Sequence, residues 1–197
     1  MGLEHTPAAF DFYFRPPSPR CVQTRLVDLD GDGTLERIVL DSRHTEVLSI
    51  FHGQRLLWRG VQARVRPWCL RVGDVDGDGK AEIALGTFKS TRLWPRAHRT
   101  LSIYSWDGKQ ARARWLGSRL TLPFREFALL NVDADPSDEL LSVERRGDGK
   151  WSLAVYNWDA FGFTLARRLG WWNSLQVLAL TPRRIELKCD GHTRHLP

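Results

Sequence analysis

At 197 residues with 42% hydrophobic side chains, the chain is long enough to form one domain with a buried core. It has no run of about 18 apolar residues, and its N-terminal stretch lacks the basic and apolar regions of a secretion signal. The sequence therefore predicts neither a transmembrane segment nor a signal peptide, and it leaves the compartment open. Cys21, Cys69 and Cys189 are widely spaced and odd in number, so we expect buried or idle thiols, with one disulfide as the alternative.

The charge composition favours a partner surface. Arginine supplies 24 of the 29 basic residues, against 23 acidic residues, and the formal net charge is +6. The planar guanidinium pairs in bidentate fashion and stacks on rings, and the chain also has nine tryptophans. Because Trp and Arg are enriched at binding hot spots, this composition indicates contact with an acidic partner.

Three segments of the chain repeat one pattern. RLVDLDGDGTLERIVL (25–40), RVGDVDGDGKAEIALG (71–86) and LLNVDADPSDELLSVE (129–144) align without gaps on the leading residues Asp28, Asp74 and Asn131. Each is followed by two alternating apolar runs around a tight turn, at His52-Gly53, Asp107-Gly108 and Asp159-Ala160. Each unit therefore reads as strand, acidic loop, strand, connection, strand, turn and strand.

The number of residues from one unit to the next matches the length of one propeller blade, which is one four-stranded antiparallel sheet. A faded fourth unit at 175–196 has only three strand-like runs, and residues 8–17 resemble the outer strand of the third unit (159–168). We therefore predict an all-β fold, a small propeller of four blades whose last blade is closed by the N-terminal strand. Its units are residues 20–62, 66–120, 124–170, and 172–197 plus 8–17 of a single domain. The alternative is an open array of sheets that closes only in an oligomer or on a partner.

The acidic loops have the composition of a calcium site. Ca²⁺ takes six to eight oxygen ligands, and Asp-x-Asp-x-Asp on a curled, glycine-containing loop turns alternate carboxylates inward. The candidate ligands of the first loop are Asp28, Asp30, Asp32, the carbonyl of Thr34 and Glu36, and those of the second are Asp74, Asp76, Asp78, the carbonyl of Lys80 and Glu82. The third loop offers Asn131, Asp133, Asp135, the carbonyl of Ser137 and Glu139.

Two further features qualify these loops. Ala134 and Pro136 replace the glycines of the third loop, so we expect its metal affinity to be lowest or absent. An EF-hand requires Glu at position twelve and flanking helices, whereas Val39 and Leu85 occupy that position and the flanks are strand-like. We therefore exclude an EF-hand. Solvated Asp-Gly turns that bind no metal remain the alternative.

The pattern DxDGDGxxEI inside a repeating four-strand unit resembles the FG-GAP and VCBS repeats of integrin α-subunit propellers and many bacterial surface proteins. The resemblance is strong over residues 25–170. It implies a β-propeller whose acidic loops bind Ca²⁺ structurally, with ligands at the first, third, fifth, seventh and ninth loop positions, which are the residues named above. The resembled family is often extracellular or at the cell surface, which leaves the compartment of this chain open, and the resemblance does not identify a partner.

No nucleophile, zinc or phosphate-loop motif is present, so we expect a protein that is not an enzyme. The second unit carries an insertion at 87–100 whose candidate partner-binding residues are Lys89, Arg92, Trp94, Arg96, His98 and Arg99. The alternative is a solvated loop with Trp94 folded back on the sheet. The favoured function is an interaction module that serves as a subunit or accessory of an assembly.

The favoured partner is another protein, with an anionic glycan or other acidic macromolecule as alternatives. Nucleic acid is disfavoured, because the arginines are spread among strands and accompany no recognition motif. A lectin that uses exposed aromatic side chains, or an enzyme that acts on glycosides, are the competing functions.

Overall fold

The structure is a computed structural model that describes residues 10–117, 119–133, 135–182 and 184–196. It is an all-β fold with 58% strand and 4% helix, as the sequence predicts. A short helix α1 covers Asp11–Phe14 and a 3-10 turn covers Ala63–Val65. The strands are β1 (Val22–Val27), β2 (Glu36–Asp41), β3 (Glu46–His52), β4 (Arg55–Gln62), β5 (Cys69–Gly73), β6 (Glu82–Lys89), β7 (His98–Trp106), β8 (Ala111–Leu116), β9 (Phe124–Leu130), β10 (Glu139–Arg145), β11 (Trp151–Asp159), β12 (Gly162–Trp172), β13 (Leu175–Thr181), β14 (Arg184–Cys189) and β15 (His192–Leu196).

The strands form four antiparallel sheets in which neighbours along the chain are neighbours in space. The sheets contain β1 to β4, β5 to β8, β9 to β12, and β13 to β15. The first strands of consecutive sheets approach each other, β1 beside β5 and β5 beside β9. Each acidic loop joins the first two strands of its sheet, so the three loops lie at the same end of the molecule.

Three apolar cores lie between successive sheets. In β6, Ile83 and Leu85 pack toward the first sheet while Ala84 packs toward the third, as expected for side chains that alternate along a strand. In β10, Leu140 faces the second sheet and Leu141 the fourth. The two middle sheets are therefore covered on both faces.

The outer sheets are covered on one face only. Strands β2 and β14 alternate between buried and more exposed residues, whereas β6 and β10 are buried almost throughout. Over the described part of the chain, no buried apolar cluster joins the fourth sheet to the first. Among the described residues, the apolar cores thus join the four sheets in chain order, with one core between each successive pair.

The predicted N-terminal strand is wrong over the residues the structure describes. Residues 11–14 form a helical turn, and the fourth sheet has three strands; residues 8 and 9 of the predicted strand lie outside the described residues. The consecutive rings of Phe12, Tyr13 and Phe14 contact Trp151, Phe124 and Arg96, three directions that a turn can reach together. Pro16 and Pro17 follow, and proline lacks the N–H that a strand ladder needs.

All three cysteines are free thiols, of which Cys69 and Cys189 are buried. Among the described residues, no helix has the length and apolar character needed to cross a membrane.

Candidate metal-binding loops

The first two acidic loops have the same hydrogen-bond network. Oδ1 of Asp28 accepts from the Gly31 and Asp32 N–H groups at 2.7 and 3.2 Å, and its Oδ2 accepts from the Gly33 N–H at 2.8 Å. The corresponding distances around Asp74, to the N–H groups at 77, 78 and 79, are 2.8, 3.2 and 2.8 Å. The leading aspartate therefore organises the loop backbone by accepting three N–H groups.

The glycines of these loops are required by backbone geometry. Gly31 and Gly33 have φ values of 76° and 84°, and Gly77 and Gly79 have 73° and 83°. Side chains rarely adopt this left-handed region, so the glycines permit the curl that brings alternate aspartates together. Pro136 cannot adopt a positive φ, so the third loop follows a different path.

The closing glutamate occupies one position in all three loops. Glu36, Glu82 and Glu139 are 3%, 2% and 1% exposed. Oε2 of each glutamate accepts the backbone N–H of the residue seven positions earlier. The donors are Leu29, Val75 and Val132, at 3.0, 3.1 and 2.8 Å respectively. The third loop thus keeps this closing contact despite its altered glycines.

Each loop brings three carboxylates within reach of one ion. Possible ligand oxygens lie within 4.8 Å of one another in the sets Asp28, Asp30 and Asp32; Asp74, Asp76 and Asp78; and Asp133, Asp135 and Glu139. The side-chain amide of Asn131 donates to the Asp135 carbonyl. The predicted carbonyl ligands, Thr34, Lys80 and Ser137, lie in these loops, and the N–H of each donates to the preceding aspartate of its own triad.

Two of the loops contain a buried carboxylate oxygen without a partner. Oδ1 of Asp30 and Oε1 of Glu139 are buried and accept no hydrogen bond among the described residues. A buried polar atom without a partner costs free energy, and a divalent cation satisfies a carboxylate oxygen directly. The first and third loops therefore fit a cation.

The second loop already holds a cationic side chain. Nη1 of Arg114 lies 2.8 Å from Oε1 of Glu82, and Nη2 bonds to Oδ2 of Asp76. This guanidinium also lies 5.1 Å from the Trp158 ring of the next sheet. Two of the five predicted ligands of this loop are thus engaged by arginine, so the second loop fits a metal ion less well than the other two.

The protonation of the carboxylates follows from burial. Desolvation raises the pKa of Glu82 to about 7, against the lowering effects of the Val75 N–H and Arg114. Burial also raises the pKa of Glu139. Desolvation acts to raise the pKa of Asp76, but the Arg114 contact outweighs it and the net pKa is lowered. A bound cation would favour the ionised form of all three groups.

The three loops form one acidic surface. The Asp138 carboxylate accepts the Asp74 N–H at 3.0 Å, while the Asp138 N–H donates to the Asp74 carbonyl at 2.6 Å. A Cβ at Gly31 would lie 3.6 Å from the Gly79 carbonyl, which places the first loop beside the second. Twelve of the 23 acidic residues of the chain fall within residues 28–36, 74–82 and 131–139.

The predicted partner-binding residues are divided between surface and interior. Arg92 and Trp94 are exposed, and the Arg119 guanidinium lies 4.1 Å from the Trp94 ring. Lys89 is half-buried, and burial lowers its pKa. The insertion therefore presents Arg92 and Trp94 to solvent.

Three residues of the predicted set contact aromatic rings of the chain itself. His98 is 1% exposed, lies in β7 and contacts the Tyr13 ring at 5.3 Å, so it does not reach the surface. Arg96 is exposed and stacks 3.9 Å from the Phe14 ring. Arg99 is half-buried and stacks 4.6 Å from the Trp68 ring. The contacts of His98 and Arg96 depend on the helical turn at 11–14, which the sequence does not predict, and the contact of Arg99 joins residues distant in sequence.

Comparison with family models and with curated proteins gives no match for this chain.

Proposed function

We propose that the chain is a calcium-stabilised, non-enzymatic interaction module built from propeller-like blades, and that it contacts an acidic protein partner. The observation that carries the proposal is the loop geometry. The same hydrogen-bond network recurs at Asp28 and Asp74, and a buried closing glutamate recurs in all three loops. Repetition of one carboxylate arrangement across sheets favours a structural role over a catalytic one.

Calcium in these loops would supply positive charge between the first two strands of a sheet. In the first loop, Asp30 and Asp32 would hold it together with Asp28, and Glu36 would fix the loop against β2. In the third loop, Asp133, Asp135 and Glu139 would hold it. In the second loop, the Arg114 guanidinium already supplies positive charge to the carboxylates, so we rank this loop last for metal affinity.

The partner surface in this proposal lies at the end opposite the acidic loops, which we call the basic end. Its residues occupy the connections and strand termini there, and they are Arg15, Arg43, Arg66, Arg92, Arg96, Arg99, Arg119, Arg125, Arg145 and Arg146. The chain thus separates its charges, and a basic surface attracts an acidic protein at long range.

The partner proposal is tested by retention of the whole chain on immobilised polyglutamate and on neutral oligosaccharides. We expect retention on polyglutamate at physiological salt, and a several-fold loss for Arg92→Glu. Arg55→Glu, an exposed position near the acidic loops, is the matched control and should retain binding. Equal retention of both variants contradicts the proposal, and retention on neutral sugar that Trp94→Ala abolishes would support the lectin reading instead.

A further inference from the structure

The fourth sheet has one strand fewer than the other three. In those sheets, the third strand pairs on its far side with a fourth strand, which is β4, β8 or β12. Strand β15 is the third strand of its sheet, and among the described residues no strand pairs with its far side. The backbone N–H and C=O groups along that side are therefore open to a further strand.

The edge formed by β15 is regular, unlike the outermost strands of the other sheets. Register shifts interrupt the ladders β3 to β4, β7 to β8 and β11 to β12. The ladder of β14 and β15 has no such shift, from Cys189 opposite His192 to Ile185 opposite Leu196. Bulges, prolines and lysines protect sheet edges, and the sequence of β15, HTRHL, contains none of them. This edge is therefore suited to the addition of a strand.

The edge is also accessible along its length. Strands β3, β7 and β11 are mostly buried, whereas residues 192–195 of β15 are all exposed. A strand that approaches β15 thus meets no covering segment among the described residues. Strand addition of this kind takes its affinity from main-chain hydrogen bonds and its selectivity from the side chains that alternate along the strand.

The side chains of β15 indicate the charge of the added strand. They include His192, Thr193, Arg194 and His195, and none of the residues of β15 is acidic. Arg194 is exposed and forms no ion pair among the described residues. Opposite charges that face each other across two strands are favourable, and like charges are unfavourable. A strand with carboxylates opposite Arg194 therefore fits this edge.

The same charges disfavour a second copy of the chain as the occupant. Arg194 lies at the middle of β15, and the histidines at 192 and 195 lie on either side of it. Antiparallel pairing of β15 with its own copy would bring these groups close to one another in the new ladder. Like charges would then meet, so a different and acidic chain is favoured over self-pairing.

We propose that the edge of β15 binds an extended acidic segment of a partner protein, which adds to the fourth sheet as its antiparallel fourth strand. The proposal goes beyond the contact at the basic end, since it uses the backbone of a sheet edge. It depends neither on calcium in the acidic loops nor on binding at the basic end.

The test is a fluorescence anisotropy titration of the whole chain, in chelator and at physiological salt, with a labelled peptide in which Glu and Val alternate. A second peptide has the same side chains but carries a methyl group on every backbone nitrogen. It keeps the charge and loses the N–H donors that a ladder needs. Hydrogen exchange of the chain with and without the first peptide then locates the contact.

Arg194→Glu should weaken binding of the first peptide about fivefold, because an attractive pair becomes a repulsive one. The position is exposed and without an ion pair among the described residues, so the melting temperature should not change. The matched control is Lys188→Glu, an exposed position of β14. It lies two strand spacings from the added strand, about 10 Å, where salt screens charge, so we expect a change of less than about twofold.

Saturable binding of the first peptide, with new exchange protection at residues 192–196 and selective weakening by Arg194→Glu, would support the proposal. Equal binding of the methylated peptide, or equal weakening by both variants, would overturn it, because general charge attraction would then explain the contact. That result leaves the proposed contact at the basic end standing. Absence of binding would also overturn the proposal. Exchange protection of β15 as strong as that of β14 before any peptide is added would overturn it as well, because the edge would already be occupied.

Discussion

Arg114 is the residue that distinguishes the second acidic loop from the other two. Its guanidinium pairs with Glu82 and Asp76, and its side chain is 28% exposed. Separating a buried carboxylate from its cation is costly, so this arginine stabilises the second loop. In the first loop, Nδ1 of His52 lies 3.9 Å from Oε1 of the closing Glu36, and that contact is charged only when histidine is protonated.

Arg114→Gln should therefore destabilise the chain more in chelator than in calcium. In chelator, we expect the free energy of unfolding to fall by about 1 to 3 kcal/mol, because a buried carboxylate loses its charged partner. In calcium, we expect one more ion per chain and recovery of part of that loss. Urea unfolding combined with a calcium titration measures both quantities.

Arg112→Gln is the matched control for this variant, because Arg112 pairs with Asp107 at an exposed turn. An exposed pair contributes little, so the control should change the free energy of unfolding by less than about 1 kcal/mol. The role given to Arg114 fails if Arg114→Gln behaves like this control in both conditions.

At the scale of strands, close packing between sheets depends on glycine residues. Gly86 lies in β6, where a Cβ would come within 2.8 Å of the Trp68 ring and 2.9 Å of the Phe127 ring. The indole N–H of Trp68 donates to the Thr87 carbonyl at 3.0 Å, which limits how far the ring can move. This contact belongs to the core between the second and third sheets.

Gly86→Ala should destabilise the chain by about 1 to 3 kcal/mol, since the added methyl group overpacks this core. Gly147→Ala is the matched control, because the nearest atom to its Cβ is 3.9 Å away and its φ is not positive. Thermal or urea unfolding of both variants measures the difference. An unchanged stability of Gly86→Ala would show that the packing at Trp68 relaxes more easily than these distances indicate.

The strands of the repeats could be predicted from sequence because each depends on local pattern. Alternating apolar residues and Asp-Gly turns define β2, β3 and β6 without reference to the rest of the chain. Residues 11–14 could not be predicted in the same way, since their conformation depends on ring contacts with Trp151 and Phe124, which are distant in sequence.

The same limit applies to the candidate sites. The acidic loops were visible in sequence because their ligands lie within nine residues of one another. The pairing of Arg114 with Asp76 joins residues 38 positions apart, and one cavity at the opposite end of the sheets is lined by Arg15 and Arg145, which are far apart in sequence. No local pattern in the sequence marks either of these arrangements.

For the molecule as a whole, the four sheets separate charge along the strand direction. The acidic loops lie at one end, and the arginine-rich connections lie at the other. Filling the first and third loops with calcium would reduce repulsion among the clustered carboxylates and stabilise the acidic end. The basic end would then remain available for a partner, whether or not the loops are filled.

The central claim is that the acidic loops stabilise the fold by binding calcium. The most direct measurement is calorimetric titration of calcium into the whole, chelator-stripped chain, followed by thermal melting. We predict two ions per chain, with one lost in Asp30→Asn and the other in Asp133→Asn. We also predict a stabilisation of about 2.7 kcal/mol at a calcium concentration 100 times the dissociation constant. Absence of binding together with an unchanged melting temperature would contradict the claim.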